Sequence, residues 1–182
     1  MSANKERGMK VPSSIEYSAL RRYLESEEMK ISLLTISVFC HETEDLGKIR
    51  KSIELVIPSA VEGEIRSDQV KGHFGNYITL LEYRFSKSLA VKAFQDILNK
   101  LSSADMIVII TTLSERMEKS KLYLRFDKQY LVAKGELTLK EGNDVVRIMV
   151  SFNGPYKEVI KELKQIASNR AMHNEARSTK LS

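Results

Sequence analysis

The stretch KLYLRF, residues 121–126, alternates Lys121, Tyr123 and Arg125 with Leu122, Leu124 and Phe126, and Lys128 follows just beyond. Successive side chains of an extended chain point to opposite faces, so two cations and a phenol share one side of this segment. That set has a definite chemistry. Ammonium and guanidinium groups can neutralise phosphates, and an aromatic ring between them can stack a base or a ribose. The competing reading is equally physical: a helix covers Tyr123, and the cations are rim charges.

A second candidate is the loop Gly72-His73-Phe74-Gly75-Asn76, which follows Lys71. Glycine supplies the positive backbone angles of a tight hairpin, and an asparagine amide can bond its own local backbone. His73 and Asn76 could therefore lock the turn, with Phe74 packing as a plug, and the neighbourhood of Arg125-Asp127-Lys128 is where the loop is expected to dock. A fixed neutral imidazole beside cations could also offer a hydrogen bond to a ribose or base. The structural and the binding role both stay open.

Other chemistry finds less support. No P-loop or dinucleotide glycine pattern and no Gly-x-Ser-x-Gly elbow occurs. Cys40 and His41 are adjacent on an extended segment and face opposite ways, so they make a poor nucleophile–base pair, and a buried inert thiol is expected. His41, Glu42, Glu44 and Asp45 are metal-ligand types, yet no two histidines have the helical spacing of a zinc motif. The sequence therefore assigns no catalytic residue, no metal and no cofactor.

These groups must be held by a scaffold, and its elements are legible. ISLLTISVFC, residues 31–40, is rich in β-branched residues and predicts a strand. Thr43 reads as a helix N-cap, Glu44 and Asp45 as first-turn carboxylates, and Leu46, Ile49, Ile53 and Val56 as one buried stripe that ends at Pro58. Residues 62–70 predict a strand near a sheet edge. In 77–85, Tyr77, Leu81, Tyr83 and Phe85 form the buried face. Leu89, Ala93, Ile97 and Leu101 stripe one helix. Met106, Ile109, Ile110, Leu113 and Met117 stripe a second, opened by a Ser102/Asp105 capping box. After the 121–126 strand, Asp127 starts a helical turn. Residues 135–140 and 144–152 predict a hairpin around Glu141-Gly142-Asn143, and Val159, Leu163 and Ile166 a last helix.

Strands grouped into hairpins predict an α+β fold with a mostly antiparallel sheet and helices packed on one face. The expected organisation is an N-terminal extension over 1–30, a domain over 31–152, and a C-terminal helix with a basic tail over 153–182. Of 182 residues, 42% are hydrophobic, enough for a core, and the net charge is +5. Most of that excess lies in the C-terminal segment, so bulk charge argues only weakly for nucleic acid. One cysteine, no leader-like start and no apolar run near 18 residues point to a cytoplasmic protein without a membrane partner.

Four blocks, VFCHETEDLGKIRKSIELVIP (38–58), GHFGNYITLLEYRF (72–85), LYLRFDKQYLVAKGELTL (122–139) and DVVRIMVSF (144–152), resemble an archaeal family of exosome-associated RNA-binding proteins. That family is expected to share the fold of the ribosomal protein that binds 5S RNA. The resemblance implies a non-enzymatic protein with RNA as partner, in RNA processing or ribosome-related complexes. Lys71, His73, Asn76, Lys121, Tyr123, Arg125 and Lys128 are the candidate contacts. The rival reading is an assembly module whose terminal helices dock exosome proteins, ribosome-associated proteins or a second copy in a homodimer. A third reading, a hydrolase or nuclease built on His41 or His73, needs carboxylates to converge on a metal, which the spacing does not predict.

Overall fold

The structure is a computed structural model that describes residues 30–72, 75–154, 157–161 and 163–165. The chain forms β1 (Ile31–His41), α1 (Leu46–Val56), a 3-10 turn (Pro58–Glu62), β2 (Glu64–Lys71) and β3 (Tyr77–Ser86). There follow α2 (Lys87–Lys100), α3 (Ser103–Thr111), α4 (Leu113–Arg116), β4 (Met117–Glu118), β5 (Lys121–Asp127), α5 (Lys128–Lys134) and β6 (Val145–Phe152). The six strands make one sheet in the order β2-β3-β1-β6-β5-β4. Every neighbouring pair is antiparallel. The α+β expectation holds, and residues 62–70 do form an edge strand.

Alternation decides the two faces of this sheet. Leu34, Ile36, Val38 and Cys40 of β1 are buried, with Leu81, Tyr83 and Phe85 of β3, Leu122, Leu124 and Phe126 of β5, and Val146, Ile148 and Val150 of β6. They meet Ile49, Ile53 and Val56 of α1 and Ala90, Ala93, Phe94 and Ile97 of α2 in one core. Burying a large apolar side chain is worth about 1.5–3 kcal/mol, which makes this layer the main source of stability. The intervening residues of the same strands are half-buried or exposed. One face is roofed by helices and the other is open.

Local signals explain the helix ends. Ser102 Oγ accepts from the Asp105 N–H at 3.0 Å and donates to Asp105 Oδ2 at 2.7 Å, the capping box that starts α3. Asp127 caps α5 by accepting from the Tyr130 N–H at 2.9 Å, and Gly135 closes it with φ +69°. Three expectations are corrected. The cap of α1 is Asp45, whose Oδ1 accepts from the Lys48 N–H, and Thr43 precedes it by two residues. The second stripe breaks after Thr111, because the Thr111 and Thr112 hydroxyls donate back to the Val108 carbonyl. Met117 then lies in β4.

The hairpin of 135–140 with 144–152 does not form. β6 instead lies between β1 and β5. Residues 138–140 lie along the β5 edge, through a Phe126–Leu139 bridge and a hydrogen bond from the Lys140 N–H to the Arg125 carbonyl, and the Leu139 N–H donates to Asp105 Oδ1 of α3 at 3.2 Å. The Glu141-Gly142-Asn143 turn is real, with Gly142 at φ +116°. A turn fixes where a chain reverses, but the partner of a strand is settled by the face it must bury.

Candidate nucleic-acid interface

The open face is best described along its cross-strand rows. Residues directly paired in an antiparallel sheet share a face. One row runs Arg66, Glu82, Ser37, Arg147, Arg125, and the next runs Glu64, Arg84, Thr35, Met149, Tyr123. A third ends in Leu33, Ser151 and Lys121. Lys121, Tyr123 and Arg125 thus do stand on the unroofed side, with Tyr123 37% exposed.

The two halves of this face differ. On β2 and β3, Arg66 pairs with Glu64 at 2.7 Å and Arg84 approaches Glu82 at 3.9 Å. On β1, β6 and β5 the open-face positions 33, 35, 37, 39, 147, 149, 151, 121, 123 and 125 hold no carboxylate, and the next one along β5, Asp127, is occupied by the Tyr130 N–H and by Lys140 at 3.0 Å. They hold Arg147, Arg125 and Lys121 beside Phe39 and Tyr123. The Arg147 guanidinium lies 5.4 Å from the centroid of Phe39, a cation–π contact. Arg125 and Arg147 are directly opposite each other in the ladder. Like charges in that position repel and lower sheet stability, and Glu141, 3.6 Å from Arg125 and 72% exposed, offsets the pair from one side only.

Sequence reasoning missed Arg147 and Phe39. Each had its place in a period-two strand pattern, but only the register shows that both share a face with Tyr123 and Arg125.

The other expected residues fall elsewhere. Lys128 is 1% exposed. Its Nζ lies 2.6 Å from Glu44 Oε2 and 2.6 Å from Asp144 Oδ1, and it donates to the Phe39 carbonyl at 2.9 Å. An ammonium so occupied has nothing to offer a phosphate, and its place among the surface contacts is withdrawn. It ties together three segments: β1, the turn before α1, and the turn before β6. Burial pushes Lys128 down, but its hydrogen bonds to Asp144 and Glu44 outweigh that and hold it above the ordinary lysine value. Burial pushes Glu44 up, yet the bonds from Lys128, the His41 N–H and Gln129 hold it below the usual carboxylate range. Asp144 is lowered in the same way, burial being outweighed by Lys128 and Gln129. Gln129 completes the cluster, donating to Glu44 at 2.7 Å and to Asp144 at 3.2 Å.

Lys71 is exposed at the end of β2, opposite Tyr77. It alternates out of the open-face set and sits four strands from β5, roughly 19 Å at the usual strand spacing. Asn76 serves its own turn. The Gly72 N–H donates to the Asn76 carbonyl at 2.7 Å and the Gly75 N–H to the Gly72 carbonyl at 3.0 Å. A Cβ on Gly72 would stand 2.5 Å from Asn76 Oδ1, and Gly75 has φ +81°. Docking of this loop near Arg125-Asp127-Lys128 is ruled out for Asn76, because β1 and β6 intervene between β3 and β5. His73 and Phe74 lie outside the described residues, as do 1–29 and Ile166.

Cys40 is buried, and burial, followed by the charge of Glu44, pushes its thiol above the ordinary value. Among the described residues, no group of three or more His, Cys, Asp or Glu side chains could hold a metal ion. No described helix is long and apolar enough to cross a membrane.

The open sheet face of this α+β protein thus carries cations beside aromatic rings. A family described as RNA binding matches residues 33–152, and the chain belongs to that family. An uncharacterized protein of Methanocaldococcus jannaschii is 33% identical over 147 residues, covering 76% of this chain and 97% of the relative. An RNA-binding protein of Pyrococcus abyssi is 28% identical over 142 residues, covering 72% and 90%. The crystal structure of a DUF54 protein from Sulfolobus solfataricus superposes with a TM-score of 0.69 at 41% identity, covering 76% of this chain and 98% of that one.

Proposed function

We propose that this protein binds single-stranded RNA, without catalysis, on the β1-β6-β5 half of its open sheet face. The observation that carries the reading is the direct opposition of Arg125 and Arg147 on a face where the one neighbouring strand carboxylate, Asp127, is already paired with Lys140. Successive phosphates, one on each guanidinium, turn a repulsive pair into a clamp on the strand, and guanidinium groups suit phosphate geometry. Lys121 extends the track along β5, while Phe39 and Tyr123 offer ring faces to unstacked bases. An A-form duplex keeps its bases stacked and cannot use such rings, so single strands are preferred. Membership of the RNA-binding family supports RNA over other polyanions. Service in exosome-associated RNA processing or in a ribosome-related complex, in the cytoplasm, is the setting that the family resemblance suggests. In this reading the domain is 31–152, and the flanking segments add affinity.

The test is a filter-binding titration of mixed-sequence RNA at two salt concentrations, with wild type and an Arg125→Met/Arg147→Met double variant. The log–log salt slope of the variant should be shallower by about 1.4, two phosphate contacts at roughly 0.7 each. An unchanged slope removes the clamp from the reading.

A further inference from the structure

At the β5 border the open face runs into a groove of about 640 Å³ whose lining includes Arg116, Met117, Tyr123, Arg125 and Glu141. Its size falls inside the range of roughly 300–1,000 Å³ typical of small-molecule sites. Its lining carries one phenol ring, Tyr123, and two guanidiniums, Arg125 from the same strand and Arg116 from α4. Arg116 is positioned by its own turn, its Nε donating to Thr112 Oγ1 at 2.7 Å, and its side chain is only 14% exposed.

Glu141 is the informative residue. Its carboxylate lies 3.5 Å from Arg116 Nη1 and 3.6 Å from Arg125 Nη1. Charge-assisted hydrogen bonds run at about 2.7–2.9 Å, so both contacts are loose. The side chain is 72% exposed and hangs from the turn at Gly142. The ion pairs of Lys128, at 2.6 Å, show what a committed contact looks like in the same molecule.

We infer that the groove is the seat of one nucleotide of single-stranded RNA, with its phosphate between Arg116 and Arg125, its base on Tyr123, and Glu141 as the displaceable occupant of the phosphate position. This rests on the RNA-binding reading above and adds to it a defined place where one residue must leave its ring stack. Glu115 and Glu118 also line the groove. With Glu141 they outnumber the two guanidiniums of the lining, so the seat takes a phosphate only when Glu141 swings out, and they can accept N–H groups from a base edge.

The experiment is a double-mutant cycle read by fluorescence anisotropy on a labelled 12-nucleotide single-stranded RNA. Glu141→Gln alone should tighten binding about fivefold, the scale of one exposed ion-pair contact. In an Arg116→Met background that gain should shrink to less than half, because the carboxylate then competes for the Arg125 guanidinium alone. Should Arg116→Met melt early, the same cycle is run on Arg125→Met, whose side chain is half exposed. An equal gain from Glu141→Gln in both backgrounds makes Glu141 a general repulsive charge and overturns the seat, while RNA binding itself stands. No binding by any variant overturns the seat and the RNA reading together.

Discussion

Lys121 and Lys128 open and follow the same strand, β5, yet they have opposite fates. Lys121 projects from the open face and makes no ion pair among the described residues; Lys128 is sealed inside with two carboxylates and a carbonyl. Their residue type is identical, so type alone does not separate a ligand-binding cation from a structural one. What separates them is whether the fold has already provided the counter-charge. The same rule divides the open face: Arg66 and Arg84 face carboxylates of their own strands, while Arg147 and Arg125 face each other and Glu141 reaches Arg125 alone of the two, from a turn outside the sheet.

The largest effect tests the buried end of β5. Lys128→Met leaves Glu44 and Asp144 without their cation, and losing one partner of such a cluster should cost about 3 kcal/mol of unfolding free energy, measured in urea. RNA affinity per folded molecule should not change. A fall in affinity at constant stability would return Lys128 to the interface and break the comparison.

Acid sharpens the same point. Glu44 and Asp144 have folded pKa values below their ordinary values of 4.5 and 3.8. The stability they contribute is therefore present above those values and lost as pH falls through the lowered ones. Wild type should lose stability more steeply than Lys128→Met between about pH 5 and pH 3, and the two curves should converge at the acid end. Parallel curves would show that the cluster carries no linkage.

The exposed end comes next. Arg125→Met/Arg147→Met should lower affinity for single-stranded RNA roughly twentyfold at 0.1 M salt, by loss of two phosphate contacts. Its melting temperature should hold or rise, since a repulsive pair is removed. Tyr123→Ala should cost about fivefold, the lower end of base–aromatic stacking, and lose that effect on an abasic oligomer. The smallest effect is expected at the far edge: Lys71→Ala should change affinity by less than about twofold, because a charge two Debye lengths from the cation track is largely screened. A large loss at Lys71 would shift the interface towards β2.

Much of the scaffold is legible in the chain. Ser102 and Asp105 announce the start of α3 through two hydrogen bonds between residues three apart, and Asp127 caps α5 the same way. The alternation of KLYLRF gives the correct outward set of β5, since strand pleating is a local property. Gly75 and Asn76 likewise mark a turn that is closed by its own backbone. Such features need only neighbours in sequence.

Long-range pairing was not legible. Glu44 reads locally as a first-turn carboxylate of a helix, but it is spent on Lys128, 84 residues later. Residues 135–140 carry a strand-like pattern and a turn, yet β6 passes them by to pair with β1 and β5. Arg147 and Phe39 come from strands more than a hundred residues apart in sequence, and the sheet order alone sets one above the other. The sequence by itself determined which side chains each element turns outward, because backbone geometry repeats over two to four residues. Only the tertiary structure decided which of those charges meet a partner, because Coulomb energy depends on distances of a few ångströms that chain order does not encode.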